Sequence, residues 1–228
     1  MNFWIHPIYF VCIILFFLII ALIICSFTRE KNMSLPLAII LSVSGVIILV
    51  FWLSCFGIQM KKIKRIILCS VSFLLFVQIA RKKIEFHEMR KDTLIKLFLS
   101  IIPSIIYLGP IVITRRLYFY SDLQTYCSMA DWYRDSTYFT PVALGDYNGW
   151  LNLVEKYYTE GLRCGSQFLL SFFTDIFSVE FSIELFAPVM AFGIFLYTLA
   201  IWHCAENFIG TPDRKTINVM ILFCGLNS

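Results

Sequence analysis

Charge is what this chain of 228 residues has least of. Only 15% of its residues are Asp, Glu, Lys or Arg, against 59% hydrophobic, and its mean hydropathy is +0.79. Soluble domains carry about a quarter charged residues, so this chain cannot cover itself with a polar surface, and a soluble class is excluded. Its basic surplus, +4, sits in short clusters beside apolar runs. A nucleic-acid surface needs a basic stripe on a soluble domain, so the clusters read as topological anchors at a bilayer. No CxxC occurs and the three histidines, His6, His87 and His203, are scattered, which argues against zinc. Cys12, Cys25, Cys55, Cys69, Cys204 and Cys224 lie inside apolar runs as small hydrophobes. Only Cys127 and Cys164 fall in a polar stretch, and they would pair only if it faces an oxidising compartment. No basic segment precedes the apolar run Phe3–Phe27, which is too long for a signal-peptide core and reads as a retained helix. Repeats, low-complexity tracts and flexible linkers are also missing.

What the chain has in quantity is long apolar runs. The first is about Ile8–Phe27 and the second about Ser34–Met60, which has no charge and carries Pro36 in its first turn. Both reach the roughly 20 residues that cross a hydrocarbon core. The third, Ile66–Ala80, is shorter, between Lys61, Lys62, Lys64 and Arg65 on one side and Arg81, Lys82 and Lys83 on the other. It crosses if those bases snorkel to the interfaces, or it lies along the surface. After the polar segment Arg81–Lys96, a fourth run, about Leu97–Thr114, carries Pro103 and Pro110, which membrane helices tolerate.

Beyond the loop 115–164, Asp175, Glu180 and Glu184 divide an apolar stretch. Its first part, from Gly165, reads as an amphipathic, re-entrant or spanning helix, and its second, Phe186–Cys204, as a clean span. A last apolar helix starts near Ile217 and stops at Ser228, too short to cross, so the expectation is a fragment. The predicted fold is an all-α polytopic membrane protein with about six transmembrane helices, the last incomplete, and one large extracytoplasmic loop containing short helices. Residues 1–92 form an N-terminal membrane region of three predicted spans, and residues 93–228 a second region built around the loop.

The loop's side follows from counting bases near span ends. With three spans before Lys96 and the amino terminus outside, Arg29, Lys31 and the six bases of Arg81–Lys96 are cytoplasmic, and the loop is outside. The cluster Lys61–Arg65 is then a misfit. If the third run only lies on the surface, the amino terminus is inside and the loop is still outside. The expected location is the cytoplasmic (inner) membrane, multi-pass, with the lipid bilayer as the first partner.

Leu117–Arg163 is the one long segment not built for lipid, and it holds eight of the eleven tyrosines. Asp122, soon after the fourth run, is placed to be a general base or a metal ligand. It is equally placed, with Ser121, to cap a loop helix reaching Arg134. Asp131, Arg134 and Asp135, at i, i+3 and i+4, suggest a weak surface ion pair. Asp146-Tyr147-Asn148-Gly149 reads as a turn first and a ligand second. The aromatic density fits sugar stacking and fits an interfacial belt.

The order of these features resembles the membrane-embedded GT-C glycosyltransferases. It runs apolar span, short exit, Asp122 with Tyr126 four residues on, loop helix, proline, acidic-aromatic loop, Arg163 between Gly161 and Gly165, then an apolar pair. The stretch Gly161–Leu170, with Phe177 to Pro188 and Tyr197, looks like the family's second core helix hairpin, and the resemblance covers about Leu97–Ala205. It implies sugar transfer from a polyprenyl-phosphate carrier to a glycan or lipid-linked acceptor of the cell envelope, as in polysaccharide biosynthesis. Asp122 would be catalytic, and Tyr126, Arg163, Asp131 and Asp146 would bind substrate. Arg163, Arg115 or Arg116 would neutralise the lipid phosphate, and a divalent metal ion is an optional cofactor. Leu123 stands where many members have a second acid. Two other classes stay open: a non-catalytic polytopic scaffold, and a transporter or flippase-like envelope protein, which needs charges inside its spans.

Overall fold

The computed structural model describes residues 3–28, 33–81, 91–117, 121–140, 165–209 and 216, and all regular structure among them is helical. A single 3-10 turn, Phe3–Ile5, leads into α1 (His6–Phe27), followed by α2 (Leu35–Cys55), α3 (Met60–Ala80) and α4 (Lys91–Thr114). Then come α5 (Ser121–Asp135), α6 (Gly165–Ile176) and α7 (Ile183–Ile209). Five of these, α1 to α4 and α7, are long and apolar enough to cross a membrane. The expected sixth helix from Ile217 lies outside the described residues, as do Asp146, Arg163 and Cys164.

Two helix ends depart from the apolar runs. The second run reaches Met60, yet α2 stops at Cys55 because Gly57 turns left-handed, at φ 78°. The Ile58 amide donates to the Leu53 carbonyl (3.1 Å) and the Gly57 amide to that of Ser54 (3.0 Å), the paired bonds of a Schellman end. α3 then begins at Met60, inside the basic cluster, and runs for 21 residues where the apolar run has only 15. At 1.5 Å per residue it is about 30 Å long, enough to match a hydrocarbon core.

The described helices fall into two compact units, each drawn from separated parts of the chain. One comprises Met1–Val43, Phe73–Arg116 and Ala187–Ser228; the other comprises Ser44–Ser72 and Leu117–Phe186. In the first, α1 buries His6, Phe10, Ile13, Phe17 and Ala21, spaced three or four apart along one face. The opposite face, with Ile8, Val11, Leu15 and Ile19, is exposed and equally apolar. A helix apolar all round but buried on one side is built for lipid on the other. Phe17 stacks on Phe192 of α7 at 5.0 Å between centroids. Ser104 of α4 donates to the Ala191 carbonyl at 2.8 Å, a polar tie between apolar helices of the kind that membrane packing favours.

In the second unit α6 is buried from Gln167 through Thr174, on every side. Its 12 residues make about 18 Å, too short to cross. Of the three readings open for this segment, a spanning or surface amphipathic helix is thereby replaced by a short helix enclosed in protein. Gly165 starts it so close to α2 that a Cβ there would lie 3.2 Å from Ile47 Cγ2.

The positive φ at Gly57 generates a contrast between glycines. A Cβ at Gly57 or at Gly193, inside α7, meets nothing within 4 Å, so only the backbone distinguishes them. Gly57→Ala should lose about 1 kcal/mol through left-handed strain. Gly193→Ala should gain about 0.5–1 kcal/mol. Unfolding in mixed micelles followed by circular dichroism reads both signs.

Candidate functional site

The segment that carries the candidate residues starts where α4 ends. Thr114 Oγ1 donates to the Pro110 carbonyl at 2.7 Å, and Arg115 takes a left-handed conformation at φ 54°, so the chain leaves the helix abruptly. Six residues later α5 begins at Ser121. Asp122 is thereby in the first turn of α5, and Tyr126, half-buried, is one turn on along the same face. The side chains of Ser121 and Asp122 lie outside the described residues.

Asp131 is in a different place. Nine residues from Asp122, it lies about 14 Å further along α5 and half a turn round. Its Oδ1 accepts two hydrogen bonds from Ser182, one from the amide (2.9 Å) and one from the hydroxyl (2.7 Å). Ser182 immediately precedes α7, so the carboxylate sits at the positive end of that helix. The network continues through Thr174 Oγ1, 3.0 Å from Ser182 Oγ, to the Leu170 carbonyl at 2.8 Å.

Arg134 does not bond Asp131 either. Its Nη1 donates to the carbonyls of Val179 (3.2 Å) and Glu180 (2.7 Å), leaving Nη2 a loose 3.7 Å contact with exposed Asp135. The third charge in this group is Lys64, whose Nζ lies 2.8 Å from Asp175 Oδ2 and donates to the Asp175 carbonyl at 2.7 Å. All three converge on the turn between α6 and α7. That turn is itself a Schellman end, with the Val179 amide on the Thr174 carbonyl (3.1 Å) and Ser178 at φ 53° where glycine is usual. The expected weak surface pair on α5 is present as Arg134 with Asp135 at 3.7 Å, and the same arginine adds long-range bonds from Nη1 to two backbone carbonyls of the turn.

Aromatic side chains wall the same unit. Tyr133, 1% exposed, stacks on Phe168 of α6 at 4.4 Å, and Phe51 of α2 meets both Phe168 (5.8 Å) and Tyr138 (5.0 Å) edge-on. Ser54 Oγ accepts from the Tyr138 amide at 2.9 Å, joining the end of α2 to the segment after α5. Tyr133 and Tyr138 are thus packing groups. Cys127 is a free, buried thiol, and burial together with the nearby Asp131 carboxylate pushes it up to about 12. Among the described residues no three His, Cys, Asp or Glu side chains are grouped to hold a metal ion.

Sequence reasoning missed Lys64, Thr174, Arg134 in its actual role, and Ser182. Their partners are 8 to 111 residues away along the chain, and no local spacing marks such pairs. No family model matches this chain, and neither a curated protein nor a solved structure shows significant similarity to it.

Two outcomes follow from the geometry around Asp131. Asp131→Ala strands the buried Ser182 amide and hydroxyl, and should cost about 2–4 kcal/mol in detergent unfolding; Ser182→Ala, which leaves the amide bonded, should cost about 1 kcal/mol. Cys127, with a folded-state pKa raised above that of the unfolded chain, should stay unlabelled by a maleimide from pH 6 to 9 and react only on denaturation, as mapped by peptide mass. The sign is that of a proton held more tightly in the folded state. Its stabilising contribution is complete below the ordinary thiol range and is lost as pH rises towards 12.

Proposed function

We propose that this chain is an integral membrane glycosyltransferase, or the N-terminal part of one. It would move a sugar from a polyprenyl-phosphate carrier to a cell-envelope acceptor on the extracytoplasmic face of the cytoplasmic membrane. The observation that carries this reading is α5. It is a helix outside the candidate spans, six residues past the end of α4, with Asp122 in its first turn and Tyr126 one turn on. It is packed against the enclosed α6, which gives it a rigid base. A site on a helix fixed in this way holds its groups more precisely than one on an open loop.

In the proposed reaction Asp122 takes the proton of an acceptor hydroxyl, directly or through a divalent ion. The acceptor oxygen attacks the sugar's anomeric carbon from the face opposite the carrier, and the bond to the carrier's phosphate oxygen breaks. The phosphate leaves with the bonding pair, its charge met by Arg163 or by Arg115 and Arg116. Tyr126 and Asp146 would contact the sugar. Asp131, engaged with Ser182, would act as a positioning residue for the helices around the site.

Two contacts support the three-span topology behind this assignment. Lys64 with Asp175, and Ser54 with Tyr138, place the α2–α3 turn beside the α5–α6 segment. A third run lying on the surface would have put Lys61–Arg65 across the bilayer from that segment. The transporter reading loses support, since Asp175 ends α6, Glu180 lies in the following turn and Glu184 is in the first turn of α7, none of them midway along a span. The scaffold reading is favoured by one observation: Asp131 and Arg134 are both engaged in internal contacts.

The test is Asp122→Asn in the full-length protein, followed by mass analysis of the glycan product in membranes supplied with lipid-linked sugar. Transfer should fall by a factor of about 100 or more, with the protein still inserted at its normal level. Undiminished transfer would remove Asp122 from catalysis, and absence of any transfer by the unmodified protein across a panel of lipid-linked sugars would leave the scaffold.

A further inference from the structure

The basic cluster at the start of α3 is the misfit of the three-span topology, since a simple anchor belongs on the cytoplasmic side. Lys61, Lys62, Lys64 and Arg65 fill the opening turns of this helix, whose first turn contains no acid. A helix start already carries partial positive charge, so local helix energetics oppose the cluster. Lys64 is answered by Asp175 at 2.8 Å. Lys61, Lys62 and Arg65 are exposed, and the ion pairs among the described residues do not include them.

Immediately before these bases the chain exposes two large rings. Trp52 is 54% and Phe56 73% exposed, with centroids 6.0 Å apart. The Schellman end at Gly57 stops α2 and leaves only residues 56–59 before α3, so rings and bases flank one short turn. A soluble anion has no use for the exposed rings, and a neutral lipid has no use for three unanswered cations. An amphiphile with a negative head and an apolar body matches both. Trp is at home at the headgroup level of a bilayer, and each base close to an anionic surface adds about 1 kcal/mol of attraction.

We propose that the α2–α3 turn is a docking face for anionic phospholipids. Trp52 and Phe56 sit at the level of the glycerol backbone, while Lys61, Lys62 and Arg65 pair with headgroup phosphates. Lys64 stays in the protein's interior contact with Asp175. The face needs no sugar chemistry and stands whether or not the loop is a transferase.

The full chain is reconstituted in phosphatidylcholine vesicles containing either dibrominated phosphatidylglycerol or dibrominated phosphatidylcholine. The Trp52 signal is taken as the difference between the chain and its Trp52→Phe variant. Its quenching should show about fivefold or greater preference for the phosphatidylglycerol. Lys61→Gln, Lys62→Gln and Arg65→Gln together should bring that preference to within about twofold of parity, and about 1 M salt should do the same to the unmodified chain. The salt titration decides alone if the triple variant fails to insert. Equal quenching by the two lipids, or a preference that survives both neutralisation and salt, overturns the proposal. So does a Trp52 that neither lipid reaches, the result expected of a face covered by protein.

Discussion

The turn between α6 and α7 is the constraint on which the second unit depends. A helix too short to cross, enclosed by protein, hands the chain to a turn that emerges at Ser178, Glu180 and Phe181 and must return to the fully buried Ser182, whose polar groups need partners. Three charged side chains hold this turn. Arg134 takes the carbonyls of Val179 and Glu180, Asp131 takes the amide of Ser182, and Lys64 takes the carbonyl and carboxylate of Asp175. They come from two different helices, α5 and α3, so the turn fixes both against α6 and the start of α7. The arrangement tolerates a serine at φ 53° in the turn, a conformation that costs about 1–2 kcal/mol outside glycine. Removing Asp131 would leave the buried Ser182 amide stranded, which costs more than the bond contributed in place, whereas the Glu180 carbonyl held by Arg134 is exposed.

The spans were legible because lipid imposes a composition. α1 matches its apolar run closely, α4 starts six residues before its run and ends with it, and α7 extends a few residues beyond its run at both ends. The boundaries at 55 and 60 were not legible from hydropathy, since Phe56 and Ile58 are as apolar as the helix they follow. The local chemistry did hold the answer: a glycine flanked by apolar residues is the usual composition of a Schellman end. Which face of each span would be buried was beyond reach. On α1 Phe17 is fully buried and Leu15 half exposed, and nothing in the residue types separates them. In water an amphipathic stripe marks the inside of a helix; in lipid both sides are apolar and the mark disappears.

The loop shows the limit of spacing arguments more sharply. A helix from Ser121 to about Arg134 was readable from its capping pattern, and α5 spans Ser121–Asp135. Spacing among Asp131, Arg134 and Asp135 suggested a weak surface pair, and Arg134 with Asp135 supplies it. Spacing said nothing of the further bonds that Asp131 and Arg134 make to backbone groups 45 to 51 residues on. An exposed ion pair is worth a few tenths of a kcal/mol, whereas a charge-assisted bond to a buried amide such as that of Ser182 is worth about 1.5–3 kcal/mol. The stronger interactions are thus the ones the sequence does not announce.

The same bonds divide α5 along its length. Asp131 holds the Ser182 amide and hydroxyl through Oδ1, and Arg134 spends Nη1 on two carbonyls, so both side chains are anchored by internal bonds. Tyr133 and Tyr138 are likewise committed, one stacked on Phe168 and the other bonded through its amide to Ser54. The distal half of α5 thus carries the bonds that tie this helix to its neighbours, and its opening carries Asp122 in the first turn and half-buried Tyr126 in the second. Under the proposed function such a division would be useful: one end of a short helix is locked into protein by charged bonds, and a group at the other end is thereby held still.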